Sequence, residues 1–124
     1  MHSKLQKCFD LCYYTSLPVS ECIGRITAAP FVFWYTDALR IIEENYDCQR
    51  ISSTELSITF LGSQYTGPRR SRFIAIFEET SGQTKVRLQF QDDILGVFTV
   101  PLLFTATGEI DCFMQEKICA TRYN

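Results

Sequence analysis

Between residues 72 and 91 apolar and polar side chains alternate with a period of two, the spacing of strands with one buried and one wet face. Val86, Leu88 and Phe90 interleave with Lys85, Arg87, Gln89 and Gln91. The turn falls at residues 80–83, Thr-Ser-Gly-Gln, and either a two-residue or a four-residue loop there predicts one pairing: Phe77 opposite Val86, Ala75 opposite Leu88, Phe73 opposite Phe90. Those six side chains share a face. Ile74 and Ile76 then lie on the other face beside Arg87 and Gln89, where a solvated strand would carry polar residues. Two covers fit that pair: the stems of Arg72 and Arg87 with a neighbouring strand, or a subunit or partner interface.

The same reading extends along the chain. Residues 5–15 set Phe9, Leu11 and Tyr13 against Cys8, Asp10 and Cys12, which predicts a first strand. Pro18 then opens a short helix whose stripe is Val19, Cys22, Ile23 and Ile26, ended before Pro30. Residues 31–51 fit two templates. A strand over 31–36 followed by a helix over about 37–46 competes with one long bent hairpin, because the aromatic run from Phe31 to Tyr35 suits a strand and the run from Asp37 to Glu44 leans to helix by propensity. Leu56, Ile58 and Phe60 alternate with Ser57 and Thr59 in a further strand, followed by a loop from Gly62 to Pro68. The apolar run at 97–104 is interrupted by Pro101, which predicts an edge, bulge or break. Thr107 is the expected N-cap of a last helix with Ile110, Phe113, Met114 and Ile118 as its apolar stripe.

These elements predict an α+β fold: an antiparallel β-sheet of about five or six strands, with a short N-terminal helix and a long C-terminal helix packed on one face. At 124 residues, 1–124 is read as a single α+β domain. A formal net charge of −2 provides no broad basic field, so no nucleic acid is expected as a partner. No apolar run approaches the ~20 residues of a membrane span and no signal-peptide pattern is present, which predicts a cytoplasmic protein with no membrane partner.

Candidate chemistry is sparse. The six cysteines include no Cys-x-x-Cys pair, and the single histidine is His2, so the thiols are read as small hydrophobes and neither a metal nor another cofactor is expected. No histidine stands ready as the base for a nucleophile, and no catalytic residue is assigned, so an enzyme is not the expected reading. The acidic pairs Glu43-Glu44, Glu78-Glu79 and Asp92-Asp93 read as solvated ends. Arg69, Arg70 and Arg72 share a loop in this reading, a local anion-binding patch. Phe31, Trp34 and Tyr35 could stack a ligand or join the core.

Strand, short helix entered at Ser16-Leu17-Pro18, several antiparallel strands, long C-terminal helix: this order is similar to that of the START-like, helix-grip domains. The similarity is one of topology over most of the chain, and no family motif accompanies it. It implies a cavity between a curved sheet and the final helix, binding apolar ligands or partners. On that picture Phe73, Ala75, Phe77, Leu88, Phe113 and Met114 would line an apolar small-molecule site. The alternative is a homodimeric interaction module that uses Ile74 and Ile76 or a sheet edge.

Overall fold

The computed structural model describes residues 11–37, 39–63, 67–91 and 108–123. The chain forms β1 (Leu11–Thr15), α1 (Val19–Ile26), β2 (Val32–Asp37), β3 (Arg40–Ser52), β4 (Glu55–Ser63), β5 (Gly67–Thr80) and β6 (Gln83–Phe90). A second helix, α2, covers residues 108–118, and β7 (Thr121–Arg122) follows it. All the described strands belong to one curled antiparallel sheet of seven, in the order β2-β3-β4-β5-β6-β1-β7. The fold is α+β as expected, with a larger sheet than the five or six strands read from the sequence.

Two elements account for the extra size. Residues 40–46 are strand and not helix, so β2 and β3 make the long hairpin, with Trp34 opposite Glu43 and Thr36 opposite Ile41. Pairing of residues 40–45 with β2 outweighs their weak helix propensity, a tertiary override. The other is β7, too short to show a period. A left-handed residue, Cys119 at φ 53°, ends α2, and its N–H bonds the Gln115 carbonyl at 3.0 Å. The chain then turns to pair Thr121 with Tyr14 and Arg122 with Tyr13.

The β5–β6 hairpin has the expected register: Phe77 with Val86, Ala75 with Leu88, Phe73 with Phe90. Its loop is Ser81-Gly82, both at positive φ (44° and 83°), the geometry that matches the twist of two flanking strands. Phe73 and Ala75 also face Ile58 and Leu56 of β4, and Val86 and Leu88 face Tyr13 and Leu11 of β1. One apolar face thus runs across the sheet. Onto it α1 turns Cys22, Ile23 and Ile26, and α2 turns Ile110, Phe113, Met114 and Ile118, all buried in the same core. Pro18 sits at the N-cap of α1, and the Val19 N–H is met by the Glu79 carboxylate at 3.0 Å.

Contacts of α2 show how far the sheet curls. The Phe113 ring meets Phe33 of β2, Tyr46 of β3 and Phe60 of β4, with centroids 5.0–5.3 Å apart. From the other end of the sheet, the Tyr13 hydroxyl donates to Asp111 and the Thr15 hydroxyl to the Ile118 carbonyl, each at 2.6 Å. Strands that are far apart in the sheet order therefore touch one helix. Tyr46 also donates to the Ile26 carbonyl at 2.6 Å, so a single side chain joins both helices.

Glu44 departs from the solvated reading of the Glu43-Glu44 pair. It is fully buried between Ile42 and Tyr46, and its carboxylate accepts the Gly62 N–H at 2.6 Å. The residues at 5–10, Asp92-Asp93, the run at 97–104 and Thr107 lie outside the described residues. Among the described residues no helix is long and apolar enough to cross a membrane.

Candidate functional site

Curling brings the two edge strands of the sheet to opposite sides of α2, and an open groove of about 860 Å³ lies there. Trp34 comes from the β2 edge; Asp111, Cys112, Gln115 and Glu116 come from one flank of α2; Tyr13 and residues 120–123 form the far wall. Each placement has a local cause. Phe33 and Tyr35 point into the core, so strand alternation turns Trp34 outward, where it stays 46% exposed. On α2 the buried stripe of Ile110, Phe113 and Met114 leaves positions 111, 112, 115 and 116 on the opposite side.

Hydrogen bonds hold the walls. Glu116 accepts the backbone N–H of Trp34 at 3.0 Å, which ties α2 to the β2 edge. That contact also shows that the Trp34 N–H points away from β3. Asp111 accepts the Tyr13 hydroxyl and pairs with Arg122 at 3.0 Å, which ties α2 to β1 and β7. The Tyr123 ring stacks on Tyr14 at 4.4 Å, and the Lys117 ammonium lies over the Tyr46 ring at 5.4 Å.

Burial and neighbouring carboxylates keep several donors near the groove protonated. Burial first, and then the hydrogen bond to Asp111, push the Tyr13 phenol well up, so it remains a proton donor. Burial raises the Cys112 thiol, and the charges of Asp111, Glu116 and Glu109 raise it further, which keeps it protonated and a poor nucleophile. Cys22 is pushed up to about 11, again mainly by burial. Among the described residues no group of three His, Cys, Asp or Glu side chains is placed to hold a metal ion.

The other residues singled out in the sequence fall elsewhere. Phe73, Ala75, Phe77, Leu88, Phe113 and Met114 come together as packed core, none more than 3% exposed. None of the six lines the large groove. Phe77 borders a smaller one of about 570 Å³ with Arg50, Thr54 and Glu79. Ile74 lies between Ser57 and Gln89, and Ile76 between Glu55 and Arg87, both half-buried on the back face. Gly67 to Arg72, read as a loop, is the first part of β5: Arg69 and Arg70 lie in that strand, and Arg72 is exposed opposite Thr59. Of the aromatic trio, Tyr35 is buried, Phe31 leans on Tyr46, and only Trp34 reaches the groove.

Reading the sequence missed this groove as a unit. Its one local signal is a tryptophan at the wet position of a strand whose neighbours are both aromatic. Comparison of the chain with protein-family models, with curated proteins and with solved structures found no match.

Proposed function

We propose that this protein is a non-catalytic binding domain of helix-grip type, which holds a small molecule with an apolar body in the groove between α2 and the β2 and β7 edges. The groove itself is the observation that supports this: about 860 Å³, inside the ~300–1,000 Å³ of small-molecule sites, with aromatic walls and a few fixed polar groups. The binding place moves from the interior, which side chains fill, to its rim.

Trp34 is the only tryptophan in the chain, so its emission reports on the groove. Titration with N-phenyl-1-naphthylamine, an uncharged apolar dye, is expected to quench Trp34, and Gln115→Phe, a change at an exposed position facing the groove, is expected to weaken that binding about tenfold. Equal affinities in the two proteins would place the dye elsewhere and sink the proposal. Native mass spectrometry of freshly purified protein adds a second readout, a retained mass that Gln115→Phe loses.

A homodimeric module is the second reading, and the β2–β3 hairpin favours it. Leu39 at its tip is 100% exposed, Ile41 is 73% exposed, and Trp34 lies diagonally from Ile41 on the same face. This surface is more open than that of Ile74 and Ile76. Sedimentation of wild-type protein beside Leu39→Ser/Ile41→Ser and Ile74→Glu/Ile76→Glu variants separates the two faces, and a wild-type monomer at high concentration rules out both.

A further inference from the structure

Resting on the groove assignment above, we infer that the ligand is an organic cation, an alkylated ammonium group on an apolar body, held between the rings of Trp34 and Tyr123 beside the Glu116 carboxylate. The argument starts from charge. Asp111 is paired with Arg122 at 3.0 Å, so those two groups offset each other. Glu116 is exposed and receives only a backbone N–H, with no cation paired to it among the described residues. Among the described residues the groove therefore keeps one uncompensated negative charge, and that charge is bonded at 3.0 Å to the residue that supplies the largest ring.

Two exposed aromatic residues line the same groove. Trp34 is 46% exposed and Tyr123 47% exposed, and Tyr14 covers one face of the Tyr123 ring at 4.4 Å. An aromatic face attracts a cation through its quadrupole, most strongly for tryptophan, and a weakly hydrated alkylammonium gives up water more readily than a metal ion or primary amine. The effect of Asp111, Glu116 and Glu109 in raising the Cys112 thiol supports a negative field on this flank of α2. Anionic ligands would meet that field unfavourably, and neutral ones would ignore it.

Three probes of nearly equal shape separate charge from shape: choline, the dimethylbutanol in which carbon replaces its nitrogen, and the corresponding dimethylbutyrate anion. Each is titrated while Trp34 emission is followed. Choline is expected to bind about tenfold more tightly than the alcohol, and the anion more weakly than either. Glu116→Gln keeps an acceptor for the Trp34 N–H and removes the charge. It is expected to erase most of the preference for choline and leave the affinity for the alcohol unchanged. Choline binding no tighter than the alcohol, with both displaced by Gln115→Phe, overturns the cation inference and leaves the groove assignment standing. No response to any of the three, together with dye binding that Gln115→Phe does not change, overturns both.

Discussion

Replacing Phe113 by alanine tests how α2 is held to the sheet. The ring is 1% exposed and touches Phe33, Tyr46 and Phe60 at centroid distances of 5.1, 5.0 and 5.3 Å. Burial of such a side chain is worth ~1.5–3 kcal/mol by transfer, and each well-formed aromatic contact adds ~0.5–1.5 kcal/mol without being strictly additive. The three neighbouring rings stand on three different strands, each fixed in its ladder, so the walls cannot collapse into the space left behind. That places the loss at about 4 kcal/mol, within the ~3–5 kcal/mol usual for truncating a buried aromatic ring. In urea, with a slope of about 2 kcal/mol per molar, the midpoint should fall by roughly 2 M at unchanged slope. Phe113→Leu, which fills most of the volume, should cost less than about 2 kcal/mol. A Phe113→Ala protein within about 1 kcal/mol of wild type would refute the reasoning, because the aromatic seat would then not be what holds the helix.

Other outcomes follow from single features. Tyr13 and Tyr46 both have phenols raised above the ordinary 10.0, chiefly by burial, so the folded state keeps protons that the unfolded chain releases. Stability from this source is complete below about pH 10 and falls above it by up to ~1.4 kcal/mol per pH unit per tyrosine. Denaturation of wild type and Tyr46→Phe at several alkaline pH values should show a flatter decline in the variant, and identical slopes contradict the assignment. Gly82→Ala should cost about 1 kcal/mol purely through its left-handed backbone, since φ is 83° and an added Cβ meets nothing within 4 Å; a neutral result in thermal melts would mean that the turn relaxes. Leu39→Ser and Ile41→Ser, at positions 100% and 73% exposed, should change monomer stability by less than about 0.5 kcal/mol and raise solubility. A loss of more than about 1.5 kcal/mol in either would show that folding buries these side chains after all.

Local pattern carried the reading where burial alternates cleanly. The Phe73–Phe90 register and the stripe from Ile110 to Ile118 needed only a period and a turn, and both stand as expected. Residues 40–46 did not yield in the same way. Ile41 and Ile42 are adjacent apolar residues on opposite faces, and Glu43 and Glu44 are adjacent carboxylates of which one is buried, so neither period is visible there. The groove was harder still. Tyr13, Trp34 and Glu116 are neighbours only because the sheet curls round α2, and nothing local in the sequence encodes curvature. The Arg69 to Arg72 stretch resembled a loop because charge and proline outweighed a strand signal that pairing with β4 supplies.

The position of β1 between β6 and β7 sets an order of assembly. β2 to β6 are joined in sequence and can pair one after another, whereas β1 reaches β6 only across the 77 and 69 residues that separate Leu11 from Leu88 and Thr15 from Thr84. Closing such spans is entropically costly and comes late. Until it does, β6 is the open margin of a half-built sheet, exposed to any other chain emerging nearby. Lys85 and Arg87, wet residues of an ordinary hairpin in the finished protein, then guard the margin that β1 has yet to cover.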